Sequence, residues 1–160
     1  MKKPIVLAAA ACISLFTSIA CKTMHKTPAP ATELVTVMSV APTVKAGTPV
    51  LMKFTVQNPT PGEMKFCKWH TPFEGFRNSF LTIKNSKGVE VRYLGIMAKR
   101  VMPPPADAYI ILQAGKSESS EIDLLKGYDL SAVGTYTVVY NSAGMSGLKN
   151  VNTVTFSVVE

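Results

Sequence analysis

Val50-Leu-Met-Lys-Phe-Thr-Val-Gln57 decides how this chain folds. Val50, Met52, Phe54 and Val56 alternate with Leu51, Lys53, Thr55 and Gln57. Successive side chains of a strand point to opposite faces, so one face here is wholly apolar and the other mostly polar. A helix would repeat its apolar positions every three or four residues instead. The stretch is a half-buried strand.

The same period of two recurs on both sides of it. Residues 34–40 form a β-rich run, and 64–69 read as a short strand. Residues 80–84 and 89–93 flank Asn85-Ser-Lys-Gly88, a hairpin turn with Gly where a positive φ is needed. Residues 109–112, 117–124, 135–140 and 151–159 complete the set, and no stretch has convincing helical periodicity. About seven to eight short strands separated by Gly, Pro and Asn turns predict an all-β, antiparallel, immunoglobulin-like sandwich. Asp129-Leu-Ser-Ala-Val-Gly-Thr-Tyr136 supports it, since a Tyr entering an apolar strand after such a turn can tie the loop to the strand through its hydroxyl.

Residues 1–20 read as an export signal. Lys2 and Lys3 precede an apolar run of roughly 12 residues, and small residues lead into Ser18-Ile-Ala-Cys21. That run is short of the ~20 residues a spanning helix needs. A Cys directly after the small residue predicts lipidation at Cys21 and a bacterial cell-envelope lipoprotein; cleavage after Ala20 to give a secreted form is the alternative. Residues 21–32, polar and Pro-containing, are expected to be a tether, and 33–160 one domain. Cys12 leaves with the signal, so this is no disulfide scaffold, although a Cys21–Cys67 bridge stays open if Cys21 is not acylated.

Loss of Lys2 and Lys3 leaves fifteen basic against ten acidic residues, scattered singly along strands and turns. Nucleic-acid binders cluster such charge on one face beside aromatic platforms, so no nucleic-acid partner is expected. A zinc protease needs His-Glu-x-x-His, which places both imidazoles on one helical face. His25 and His70 are the only histidines, so no metal site, cofactor or enzymatic activity is expected. Cys67 and His70 are close enough in sequence to suggest a thiolate pair, but no third residue is placed to orient the His.

Two stretches break the alternation. Residues 97–107 contain Pro103-Pro-Pro105, an extended surface segment. Residues 58–78 form a connection of about 21 residues, a length that often marks a functional loop. It contains Cys67-Lys-Trp-His-Thr-Pro-Phe-Glu-Gly-Phe-Arg-Asn78. With Tyr93-Leu-Gly95, Lys99-Arg100, Asp123-Leu124 and Gly134-Thr-Tyr136, this pattern resembles the non-catalytic N-terminal domain of secreted lysine-specific metalloendopeptidases of the deuterolysin (aspzincin) type. The resemblance runs from about Val37 to Phe156.

In those proteases the domain precedes the zinc domain, which implies a latency or chaperone role and a protein partner, a secreted zinc protease among the candidates. Within the loop, Trp69, Phe73 and Phe76 are expected as apolar anchors, with Glu74 or Arg100 giving orientation. Cys67 is a candidate thiolate cap for a protease zinc, Lys68 a substrate-lysine mimic, and His70 completes the partner-binding set. The competing expectation is that Trp69 and Phe76 are core and that Glu74 pairs internally with Lys99 or Arg100. Two other roles remain open, a structural or adhesive surface module and the separated accessory domain of a split protease.

Overall fold

The computed structural model describes residues 31–160, and the alternation at Val50–Gln57 is seen there as a strand with Met52, Phe54 and Val56 fully buried. The predicted signal, most of the tether and Cys21 lie outside the described residues. The strands are β1 (Val35–Val40), β2 (Thr43–Lys45), β3 (Leu51–Gln57), β4 (Met64–Cys67), β5 (Leu81–Asn85), β6 (Tyr109–Leu112), β7 (Ser117–Asp123), β8 (Gly134–Tyr140) and β9 (Val154–Val159). They form a three-stranded sheet β1-β3-β7, a four-stranded sheet β2-β9-β8-β5 and a ribbon β4-β6.

The two larger sheets face each other across one core. From the first come Met38, Met52, Phe54 and Val56; from the second, Leu81, Ile83, Tyr136, Val138, Phe156 and Val158. Each large apolar side chain removed from water contributes about 1.5–3 kcal/mol, so the register of the sheets follows from these faces. β3 sits centrally because its inward positions are large and apolar along its length, whereas β7 is an edge with Ser and Glu at most positions. Among the described residues nine strands enclose a main core and a smaller second one, enough buried structure for residues 31–160 to fold by themselves.

Several sequence expectations change in detail. β2 was not foreseen; only three residues long, it runs parallel to β9, Thr43 opposite Ser157. Too few residues alternate there to give a pattern. The strand expected at 89–93 is reduced to two single bridges, Lys84–Glu90 and Tyr93–Tyr128. The turn before it forms as expected, with Gly88 at φ 77° and the Asn85 side chain accepting from the amides of Lys87 and Val89. Beyond Val91 the chain leaves β5 and crosses to Tyr128. A four-residue helix α1 (Ala143–Ser146) follows β8 where none was expected. Among the described residues no helix is long and apolar enough to cross a membrane.

The Tyr136 hydroxyl donates to the carbonyl of Ala132 at 2.6 Å, the loop-to-strand tie expected from the sequence. Burial raises the phenol pKa above its usual range, so the hydroxyl remains a donor across neutral pH. Tyr136→Phe should therefore lower stability by about 1 kcal/mol in urea unfolding. An unchanged midpoint would mean that the tie contributes nothing.

Candidate functional site

Between β4 and β5 the chain must pass from the ribbon to the four-stranded sheet. The partner-binding candidates other than Cys67, the last residue of β4, and Arg100, which follows β5, lie in that crossing. Lys68 extends the ribbon by one bond, its amide donating to Ala108 at 2.8 Å. At His70 the backbone enters the left-handed region, φ 57°. Few non-Gly residues adopt that conformation without support. Here the His70 amide donates to Glu74 Oε1 at 2.7 Å, and its carbonyl accepts the Tyr140 hydroxyl at 3.0 Å.

Thr71 then caps a short 3-10 turn, Pro72–Glu74, accepting the Phe73 amide on its hydroxyl while donating to the Lys68 carbonyl. Pro at the first position has no amide to leave unpaired. Ser120 of β7 donates to the Pro72 carbonyl at 3.1 Å, fastening the turn to the first sheet. Glu74 is delivered by this turn toward Arg100, and the two form an ion pair. The Glu74 side chain is 6% exposed and that of Arg100 20%, which places the pair below the surface. The guanidinium carbon also lies 4.6 Å from the centroid of Trp69, a cation–π contact.

A second strip of chain is held alongside. The amide of Ile96 donates to Phe76 and that of Ala98 to Arg77, which carries the backbone toward Arg100 in an extended form. The Phe76 ring stacks on Phe80 at 5.6 Å and meets Tyr93 and Tyr128 edge-on. Gly127 is required there, because a Cβ on it would lie 2.5 Å from that ring. Phe73 packs the other way, against Phe54 and Phe66. Burial pushes the Tyr93 phenol up to about 12, and its hydroxyl donates to the Ile96 carbonyl.

The three expected anchors thus turn inward. Trp69 is buried with Cys67 and Ala108 in a small second core, while Phe73 and Phe76 pack against the main one. Cys67 is 2% exposed, so its thiol faces the fold rather than a partner's metal, and it shares no hydrogen bond with His70 among the described residues. Of the two internal partners expected for Glu74, it is Arg100 that pairs; Lys99 is exposed. Lys68 and His70 are half-buried at the rim of the loop. Among the described residues no three His, Cys, Asp or Glu side chains converge in a way that would hold a metal ion.

Sequence reading missed the side chains that hold the crossing from behind. Tyr140 donates to the His70 carbonyl and also hydrogen-bonds Ser146 Oγ at 2.7 Å, and burial raises its phenol to about 12. Tyr128 both accepts from the Leu81 amide and donates to the Leu81 carbonyl. Tyr140 shares the inward phase of Tyr136 and Val138, and that phase was the available signal.

A two-sheet sandwich with a tyrosine tie at the entry to β8 defines an immunoglobulin-like domain. The family model of the immunoglobulin-like domain matches residues 37–145, and the chain belongs to that family. No curated protein matches it. Domains of this family are typically non-catalytic.

Burial holds the His70 imidazole below its ordinary value of 6.5; the Glu74 carboxylate opposes that shift and the Arg100 guanidinium adds to it. A histidine lowered on folding binds its proton more readily in the unfolded chain. Its stabilisation is full above the unfolded value and is lost as pH falls through that value toward the folded one. In a fragment of residues 31–160, His70 is the only histidine. Melting temperature should fall as pH drops through and below about 6.5, and fall less in His70→Gln. Equal slopes for the two proteins would contradict this.

Proposed function

We propose that this is an exported, non-enzymatic, protein-binding domain of the bacterial envelope, held there by a lipid at Cys21, which inhibits a metalloendopeptidase or assists its folding. The observation that carries the reading is the order built into the crossing between β4 and β5. A connection of this length with no strand beyond Cys67 is nonetheless fixed by a cap, a buried ion pair and bonds to both sheets. A preformed loop loses little conformational freedom on association, which favours binding. Loops that are ordered by their own side chains are frequently functional.

The family match supplies fold and family, and the protease link rests on the residue pattern of the loop and of Tyr93–Arg100. In the folded domain those residues form one continuous patch: Glu74 with Arg100, Trp69 beneath Arg100, and Phe76 with Tyr93. The buried members shape the patch, and Lys68 and His70 at its rim provide the contacts. Lys68 suits the acidic pocket that a lysine-specific protease needs for its substrate side chain.

Purified residues 31–160 mixed with a lysine-specific metalloendopeptidase should slow cleavage in proportion to dose. Lys68→Ala should weaken the effect about tenfold, the loss expected for one interfacial charge contact. A cleavage rate and binding signal unaffected by any concentration of the domain would overturn the proposal.

A further inference from the structure

Five large apolar side chains stand in solvent on one short stretch of chain. Leu94, Ile96, Met97, Val101 and Met102 are between 50% and 85% exposed. Scattered exposed apolar residues are ordinary, but a contiguous group marks a contact with a protein or a membrane. The stretch from Val91 to Ala106 carries Arg92, Lys99 and Arg100 and no acidic residue. Arg77 and Lys126, both exposed, flank it, since Ala98 bonds to Arg77 and Leu94 to Gly127. Glu74 pairs with Arg100 and Asp129 with Arg92, so among the described residues the cations without an ion-pair partner here are Arg77, Lys99 and Lys126. The exposed Glu90 and Asp107 stand at the two ends of the stretch.

We infer that this ridge, Leu94–Met102, is a lipid-contact surface that seats the domain on an anionic bilayer. An apolar strip rimmed by cations is the chemistry of an interfacial anchor: the apolar groups enter the headgroup–acyl boundary while lysine and arginine stay at headgroup level. Anionic lipid attracts each such cation. The backbone suits shallow burial as well. The amides of Leu94, Ile96 and Ala98 are bonded within the protein, and Pro103, Pro104 and Pro105 have no amide to desolvate. Ala31 follows Cys21 by ten residues, a reach of at most about 35 Å, so a lipid at Cys21 would hold Ala31 within that distance of a bilayer. The ridge overlaps the patch assigned to a protein partner at Tyr93–Arg100 but does not include Lys68 and His70, which provide the contacts there, and its test needs neither a protease nor Cys21.

The test is co-sedimentation of residues 31–160 with vesicles of phosphatidylglycerol and phosphatidylcholine, and with vesicles of phosphatidylcholine alone. Binding to the anionic vesicles, weakened by salt, is expected. The double substitution Met97→Asp with Val101→Asp should abolish it, and Lys99→Glu should reduce it about tenfold. All three side chains are exposed, so melting temperatures should stay at the parent value. No preference for anionic vesicles, or equal binding by the substituted proteins, would overturn the inference. So would self-association that the double substitution removes without any vesicle binding, which would assign the ridge to a second copy of the chain.

Discussion

The buried Glu74 carboxylate is the constraint on which the arrangement around it depends. Taking a carboxylate out of water costs several kcal/mol unless its oxygens are paired. Here one oxygen accepts the His70 amide and the other meets the Arg100 guanidinium. The first bond supports a backbone conformation at His70 that would otherwise be strained. The second joins two stretches of chain that are 26 residues apart. Trp69 covers the guanidinium, and with it the small core of Cys67 and Ala108 is closed on that side. One carboxylate, through one hydrogen bond and one ionic contact, therefore fixes a left-handed turn, a loop crossing and the seat of the tryptophan together.

The sandwich and the crossing support each other. Phe73 and Phe76 reach from the loop into the main core in different directions, while Ser120, Tyr140 and Tyr128 reach outward from it to hold backbone carbonyls and amides. These tyrosine bonds are buried, where an unmade hydrogen bond is costly. The loop consequently has little freedom to rearrange, and a partner would meet it as a finished surface. The adjoining ridge is the opposite case. It bonds inward through alternate amides and leaves its apolar side chains in solvent.

The fold was legible where a period existed. Val50–Gln57 alternates over its whole length, and that alternation alone places Met52, Phe54 and Val56 in the core. The tie at Tyr136 was legible because the residues before the strand spell a turn. β2 was not, since three residues show no period and its partner β9 lies at the far end of the chain. The expected strand at 89–93 alternates correctly but leaves β5 after Val91, a departure set by the contact of Tyr93 with Tyr128 rather than by local pattern. In the site, a crossing without periodicity does not tell which way its rings point. Trp69, Phe73 and Phe76 suit an anchor and a core equally well in sequence, and the choice is made by what Phe54, Phe66, Phe80 and Ala108 offer them. The pairing of Glu74 was narrowed to two neighbouring cations; the turn geometry at Pro72–Glu74 selects Arg100.

A double-mutant cycle on Glu74 and Arg100 tests the dependence on this pair most directly. Glu74→Gln and Arg100→Met would be made singly and together and unfolded in urea. Each single change should cost about 3 kcal/mol, because it leaves its partner buried and uncompensated. The double should cost no more than the worse single, a coupling of at least about 3 kcal/mol. Small, additive losses would mean that the crossing is held by its hydrogen bonds and aromatic contacts alone, and that the ion pair is incidental to it.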